Sequence, residues 1–325
     1  DALGNWSAPA TDAIYLDTVP PVGAVAINGG NPWTNSTAAT LTFAGTESDV
    51  TWVRVGSTSN LSAVAYQAYT PGMSLPFTLA AGSGPKTVYA QFKDVGNRES
   101  AVVSDSISIE TVKPTSPGVP AHRLRGAAST GIPVGLTWTA GTDATSGVAG
   151  YVVQQSVNGG AFTTVATTTG RSAYFQLSYG KSYVFRVATK DGAGNLSAYR
   201  TGTKFTALSI SDSNPSVRYS GKWYTFSAPT YMGGVAHASS ATGASATYTF
   251  TGKQIAWLSR TGPTQGTARV YINGSLVASV NLYAATQKDK QLVFSKAYST
   301  SATRTIRIVV TGTKRVTLDQ LFVLR

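Results

Sequence analysis

The sequence predicts an all-β chain of tandem sandwich domains, and three observations lead to that prediction. Charged residues make up only 12% of the 325 residues. Thr, Ser, Val and Gly are frequent; Thr and Val favour strands, and Gly, Asn and Pro favour turns. Short runs such as TAATLTFAG (37–45) and KTVYAQFKD (86–94) alternate apolar and polar residues, which is typical of strands with one buried face. One segment also recurs at the spacing of a sandwich domain of roughly 100 residues.

The recurring segment reads as a closing strand followed by a proline linker. Residues 96–114, GNRESAVVSDSISIETVKP, match residues 4–21, with Leu16 corresponding to Ile109. A looser third copy, KDGAGNLS, lies at 190–197. These copies predict four segments: 1–20 as the last strand and linker of a preceding domain, then domains at 21–113, 114–207 and 208–325.

Residues 21–113 resemble a bacterial immunoglobulin-like repeat, in which a strand leads into a D-x-x-G-N turn and a last strand closes in D-T-x-x-P. The resemblance rests on INGGNPWTNSTAATLTF, PFTL and GSGPKTVYAQFKDVGN. It implies that residues 1–20 end a preceding domain of the same kind. Because a last strand without its sheet leaves amides unpaired, we expect Ala13–Asp17 to be frayed or to pair with a sheet edge, in this molecule or a neighbour.

Residues 114–207 resemble a fibronectin type III domain. The run LTWTAGTDATSGVAGYVVQQSVNGGAFTTV reads as strand, loop, strand, Asn-Gly turn and strand, with Trp138 where that family buries an indole. Leu177 and Tyr183 match the tyrosine corner, in which the tyrosine hydroxyl bonds back to the upstream backbone. The resemblance therefore implies that Trp138 and Tyr183 are structural residues.

Residues 208–325 show the pattern of a jelly roll with two antiparallel sheets. Alternating runs continue to the end of the segment, and Asn273-Gly274 is a strong hairpin signal. The order of YSGKWYTF, GGVAHASS, GASATYTFTGKQIAWLSRTGP, GTARVYINGS and VTLDQLFV resembles the galactose-binding-like modules appended to secreted bacterial hydrolases. That resemblance implies carbohydrate binding and an extracellular or cell-surface location.

Aromatic side chains are the first candidates for such a site. An aromatic ring covers the apolar C–H face of a pyranose while polar neighbours bond its hydroxyl groups. Trp257 shares a strand face with Ile255 and is expected in the core, as are Trp33, Trp52 and Trp138. The candidate ligand-binding residues are Trp223, Tyr224, Tyr231, His237 and Arg260.

Catalysis is not expected in this chain. It contains no Cys, which excludes thiolate nucleophiles, disulfides and Cys-based zinc sites. The two histidines, His122 and His237, lie in different predicted domains, and neither a G-x-S-x-G nor an H-E-x-x-H motif is present. Most of the 14 acidic residues lie in turns or near strand ends, so a pair of catalytic carboxylates is not indicated.

No cofactor is expected apart from a structural calcium ion, which the jelly-roll resemblance implies near the ends of that domain. Asp212 and Asp319 are the acids placed to bind it, and the family's usual additional acid is not evident. The D-x-x-G-N turns of Asp1 and Asp191 and the shorter D-x-G-N turn of Asp94 are interpreted as turns in which Asp caps backbone amides, because each loop offers too few oxygens for calcium.

The net charge of +12 is unevenly distributed. Residues 1–113 carry 5 basic and 9 acidic side chains, residues 114–207 carry 8 and 2, and residues 208–325 carry 13 and 3. A positive field attracts polyanions, so an acidic polysaccharide or an anionic cell-wall polymer is a candidate partner. The alternative interpretation is that the positive charge only makes the surface soluble. Nucleic acid is not expected as a partner, because the basic residues are scattered and no recognition motif occurs. No segment predicts membrane insertion.

Three hypotheses follow. In the first, the chain is a non-catalytic region of a secreted bacterial protein, in which spacer domains present a C-terminal carbohydrate-binding module. In the second, it is a segment of a surface fibre or adhesin that associates head to tail with copies of itself, because its N-terminal part is acidic and its C-terminal part basic. In the third, it is an accessory region of a secreted hydrolase whose catalytic domain lies upstream.

Overall fold

The computed structural model describes residues 2–4, 6–14 and 16–325, and this part of the chain consists of strands, turns and one short 3-10 helix. The predicted all-β fold class is confirmed. No helix in the described residues is long and apolar enough to cross a lipid bilayer. The chain divides into two compact units, one formed by residues up to 112 with 192–195, and one formed by 113–191 with 196–325.

The first unit is a sandwich of two sheets, with strand orders β1-β3-β6 and β2-β8-β7-β4-β5. Its core lies between the sheets, where Phe43, Tyr69 and Phe92 contact one another edge to face. The 3-10 helix is Asn28–Gly30. The strands are β1 (Ala24–Ile27), β2 (Trp33–Thr34), β3 (Ala38–Ala44), β4 (Val50–Gly56), β5 (Gln67–Ala68), β6 (Ser74–Thr78), β7 (Gly84–Asp94) and β8 (Val103–Ile109).

The closing strand and its earlier copy have different environments. In β8, Ile107 and Ile109 are 1% and 3% exposed. The corresponding Ile14 and Leu16 are 97% and 84% exposed, and the described residues around them form no strand. Tyr15, in the middle of this predicted strand, lies outside the described residues. Ile14 and Leu16 of the first copy are therefore uncovered in this structure.

The prediction that Trp52 lies in the core is wrong. Its side chain is 40% exposed, and the Lys93 ammonium lies 5.8 Å from its ring centroid. The neighbouring Val53 is fully buried, and successive side chains of a strand point to opposite faces. Trp52 therefore faces solvent, because Val53 takes the inward position in β4.

The second unit begins with the fibronectin-like strands. Trp138 is 6% exposed and the Tyr183 hydroxyl donates to the Ser178 carbonyl at 2.9 Å, so both structural predictions are confirmed. The strands of this part are β9 (Ala121–Leu124), β10 (Ile132–Thr137), β11 (Val148–Val157), β12 (Thr163–Thr168), β13 (Ser172–Leu177), β14 (Lys181–Asp191), β15 (Arg200–Thr201) and β16 (Phe205–Ser211).

The jelly-roll part packs the small sheet β18-β19-β24 against a longer one. Trp257 is fully buried between them, as predicted. Asn273 and Gly274 both have positive φ, 49° and 82°, and form the predicted hairpin turn. The strands are β17 (Arg218–Ser220), β18 (Tyr224–Ser227), β19 (Val235–Ser239), β20 (Ser245–Thr261), β21 (Thr267–Ile272), β22 (Ser275–Asn281), β23 (Lys288–Val310), β24 (Val316–Leu318) and β25 (Gln320–Leu324).

One sheet runs through both parts of the second unit, in the order β12-β11-β14-β16-β25-β20-β23-β21-β22. Strand β16 makes this continuity, because it pairs with β14 on one side and with β25 on the other. Gln254 adds two hydrogen bonds, accepting from the Leu124 amide and donating to the His122 carbonyl. The boundary predicted at 207/208 lies inside β16, and the four-segment division stays a prediction.

Candidate functional site

The predicted ligand-binding residues fall into two groups in the jelly roll. In the first group, the half-buried Trp223 lies beside Tyr219, with ring centroids 5.0 Å apart, and its indole N–H donates to the Ser220 carbonyl at 3.3 Å. Tyr219 in turn stacks on His237 at 4.8 Å. Trp223 is therefore held by packing as well as by a hydrogen bond.

His237 is the centre of a hydrogen-bonded chain. Its Nδ1 lies 2.6 Å from Oδ2 of Asp212, and its Nε2 lies 3.3 Å from Oγ1 of Thr225. Asp212 is 2% exposed, and its backbone carbonyl accepts the Tyr219 hydroxyl at 2.8 Å. Burial raises the pKa of Tyr219 well above its usual range. Both imidazole nitrogens thus have protein partners, and a ring packs against the imidazole face.

Tyr224 is the member of this group that faces solvent. It is 48% exposed, and the Lys222 ammonium lies 5.2 Å from its ring centroid. An exposed phenol beside a flexible ammonium offers a ligand an apolar face and a donor.

The second group surrounds Arg260. Its guanidinium lies 4.5 Å from the ring centroid of Tyr231, donates through Nε to Asp289, and donates through Nη2 to Thr230 at 2.8 Å. Tyr231 is only 4% exposed. Arg260 and Tyr231 therefore stabilise this corner of the jelly roll through contacts with each other.

The two acids predicted to bind calcium are both buried and hydrogen-bonded. The Met232 amide donates to both oxygens of Asp319, at 3.0 and 3.1 Å, and burial raises the pKa of Asp319 to about 7. His237 and the hydroxyls of Ser211 and Ser213 contact the Asp212 carboxylate. Within the described residues, neither acid belongs to a group of three metal-ligating side chains, and the calcium site stays a prediction.

The first unit contains an acidic group that the sequence reading missed. Asp17, Asp49 and Asp94 bring carboxylate oxygens within 4.8 Å of one another. Arg98 supplies a counter-charge 3.1 Å from Asp17, and its amide donates to Asp94 at 2.9 Å. That last bond agrees with the interpretation of the turn at Asp94 as an Asp-capped turn; Asp1, interpreted in the same way, lies outside the described residues.

A surface depression of about 220 Å³ lies where three connections of the jelly roll meet. Tyr283, 54% exposed, contributes a ring to it, and the Lys314 ammonium lies 5.3 Å from the ring centroid. We refer to it as the Tyr283 depression. Its lining residues are Gln265, Gly266, Thr267, Asn281, Tyr283, Gly312, Thr313 and Lys314.

The local backbone explains why this depression forms. The Asn281 side chain accepts the Tyr283 amide at 2.9 Å and fixes the turn that follows β22. Gly266 donates to the Arg315 carbonyl at 2.7 Å, and a Cβ on Gly266 would lie 2.6 Å from the Lys314 carbonyl oxygen. The close approach of these two connections therefore requires glycine at position 266.

This geometry suits a sugar ring. A half-exposed tyrosine provides a stacking face, and amide, hydroxyl and ammonium groups around it provide hydrogen-bond partners. Sequence reasoning missed the Tyr283 depression because its lining comes from three separate connections. The signal in the sequence is NLY at 281–283, an Asn that can cap a turn followed by an aromatic residue just after a strand.

No family model matches the chain. It is 37% identical over 154 residues to Endoglucanase B of Cellulomonas fimi, covering 44% of this chain and 14% of that protein. It is 42% identical over 97 residues to Chitinase D of Niallia circulans, covering 29% and 17%. It is 31% identical over 234 residues to Chitinase A1 of the same organism, covering 66% and 32%. The chain thus spans less than a third of each of these relatives.

Two solved structures are similar to parts of the chain. Fibronectin(III)-like modules of Clostridium thermocellum CbhA match at 16% identity with a TM-score of 0.37, covering 55% of this chain and 92% of that one. The CBM36-1 domain of a multidomain xylanase from the hindgut metagenome of Trinervitermes trinervoides matches at 17% identity with a TM-score of 0.27, covering 37% and 97%. These likenesses are weak and add nothing to the architecture described above.

Proposed function

We propose that the chain is a non-catalytic region of an extracellular carbohydrate-active protein, in which residues 208–325 bind a polysaccharide and residues 21–207 act as a spacer. The observation that carries the proposal is the Tyr283 depression, which pairs a half-exposed ring with polar side chains. The partial matches to an endoglucanase and to chitinases support it, because this chain corresponds to a minor part of each. Their names point to glucan and chitin as the first ligands to test.

The Tyr283 depression is the preferred site, and the surface around Tyr224 is the second. Tyr224 is comparably exposed and has Lys222 beside its ring, whereas Trp223, His237 and Tyr231 are engaged by protein neighbours. A sugar that stacks on either tyrosine gains both an apolar contact and hydrogen bonds. Truncating the ring at the true site removes the apolar contact.

Binding of the full chain to insoluble chitin and cellulose tests the proposal. We expect Tyr283→Ala to lower the affinity about 5- to 30-fold, because loss of a stacked aromatic contact costs about 1–2 kcal/mol. Tyr174→Ala is the matched control, since Tyr174 has the same exposed fraction, 54%, in the fibronectin-like part. If Tyr224→Ala abolishes binding and Tyr283→Ala does not, the site is the surface around Tyr224. Absence of binding by the unmodified chain to both polymers and to their soluble oligosaccharides would contradict the proposal.

Self-association is the second candidate function, favoured by the uncovered apolar residues of the N-terminal segment. Trp6, Ile14 and Leu16 are all more than 80% exposed. If they pair with a sheet edge of a neighbouring copy, sedimentation at rising concentration will show oligomers, and replacing Ile14 and Leu16 by Asn will abolish them. A chain that stays monomeric at high concentration and low salt contradicts this function.

A further inference from the structure

The strand registers place three exposed arginines on one face of the jelly-roll sheet. Arg218 lies opposite Thr247, Thr247 opposite Arg307, and Arg307 opposite Tyr271, across the neighbouring strands β17, β20, β23 and β21. Directly opposite residues point to the same face of a sheet. Arg269, two residues from Tyr271 in β21, shares that face. We call Arg218, Arg269 and Arg307 the arginine row.

This face is the outer one. Ile306 and Ile308, on either side of Arg307, are each 1% exposed and belong to the core, and Val270, between Arg269 and Tyr271, is fully buried. Because side chains alternate along a strand, the arginines project outward. All three are exposed, and Tyr271 is half-buried between them.

The arginine row has no local counter-charge. Within the described residues, no hydrogen bond or ion pair engages the guanidinium groups of Arg218, Arg269 or Arg307. Asp212 and Asp319 are buried, and Asp289 is paired with Arg260. These are the three acids of residues 208–325, so the charge of the row is uncompensated by its own domain.

The spacing suits a chain of anions better than a single small one. Arg218 and Arg307 are two strands apart, about 10 Å. Arg269 is the diagonal neighbour of Arg307, about 7–8 Å away. A guanidinium group binds a carboxylate through two parallel hydrogen bonds. The ring of Tyr271 and the exposed hydroxyl of Thr249, on the same face, can contact the sugar to which the carboxylate is attached.

From this juxtaposition we propose that the arginine row binds a polysaccharide that carries a carboxylate on successive sugars. The surface is separate from the Tyr283 depression, and the inference rests on the proposed function only in taking the partner to be a polysaccharide. A carboxylated glycan is favoured over nucleic acid because the face is one side of a β-sheet, contributes three cations and has no element that could enter a groove.

The test uses the full chain and polygalacturonate. The unmodified protein should bind it with an affinity that falls as salt rises. The Arg218→Gln/Arg307→Gln variant should bind at least tenfold more weakly and with less salt dependence. The matched control is Arg171→Gln/Arg200→Gln, which removes two exposed arginines from the fibronectin-like part and should change the affinity less than twofold. Methyl-esterified polygalacturonate keeps the sugar chain without its charge, and we expect no measurable binding to it.

Three results would overturn the inference. The first is equal affinity of the row variant and the unmodified protein. The second is equal weakening by the control variant, which would mean that total charge is responsible. The third is binding of single-stranded DNA as tight as that of polygalacturonate and equally lowered in the row variant, which would mean a general polyanion surface. Chitin binding is measured on the same variants and on Tyr283→Ala. The arginine-row variant should retain chitin binding, whereas Tyr283→Ala should lose it, and this difference separates the two sites.

Discussion

A buried carboxyl group links the stability of the second unit to pH. Asp319 is fully buried beside the Met232 amide, and burial raises its pKa to about 7. Its pKa in the unfolded chain is about 4. The folded state therefore binds more protons between these values, so this contribution to stability is complete below about pH 4 and is lost as the pH rises through 7.

We predict that the unfolding temperature of the second unit falls between pH 4 and pH 8, by an amount equivalent to at most about 4 kcal/mol. Asp319→Asn should remove most of this fall, because the amide stays neutral at every pH while its oxygen still accepts from Met232. Calorimetric scans across the pH range provide the measurement. Asp143→Asn, elsewhere in the same unit, is the control. An unfolding temperature of the unmodified protein that rises towards pH 8 would contradict the assignment of this pH dependence to Asp319.

The connections around the Tyr283 depression depend on one glycine, Gly266. A Cβ at Gly266 would lie 2.6 Å from the Lys314 carbonyl oxygen and 2.8 Å from its carbonyl carbon, both backbone atoms that cannot rotate away. The connection after β23 must then shift, which moves Lys314 relative to Tyr283.

We predict that Gly266→Ala weakens glycan binding at least fivefold and lowers stability by about 1–3 kcal/mol, the usual cost of overpacking. Gly312→Ala is a matched control in the same depression, because a Cβ there has its nearest neighbour at 3.4 Å, an ordinary contact. Binding isotherms and thermal melts of both variants test this prediction. Unchanged binding by Gly266→Ala would place the ligand elsewhere.

Features that depend on residues close together in the sequence could be predicted from it. The hairpin at Asn273-Gly274 and the tyrosine corner at Tyr183 depend on residues close in sequence, so their patterns were sufficient. Trp52 was misplaced because a large apolar residue was assigned to the core, although the alternation with Val53 turns it outward. The Tyr283 depression could not be predicted, because its lining converges from connections up to about 50 residues apart.

The fibronectin-like and jelly-roll parts, which the sequence predicts as separate domains, share one sheet in the second unit. Residues 205–211 form one strand, β16, and the sequence of a single strand does not reveal which strands lie beside it. Strand β16 bonds to β14 through residues 205–207 and to β25 through residues 207–211. One hydrophobic core contains the fibronectin-like residues together with residues of these two strands, Phe205, Ala207, Phe322 and Leu324.

This continuity predicts that the second unit unfolds in one transition, distinct from that of the first unit. Val187→Ala in the fibronectin-like core and Ile306→Ala in the jelly-roll core should therefore lower the same calorimetric peak, since large-to-small core substitutions cost about 1–5 kcal/mol wherever they lie in a cooperative unit. Phe92→Ala, in the core of the first unit, should lower the other peak. If Val187→Ala and Ile306→Ala shift two different peaks, the pairing through β16 is too weak to couple the two parts, and the boundary predicted near residue 208 would separate domains that fold independently.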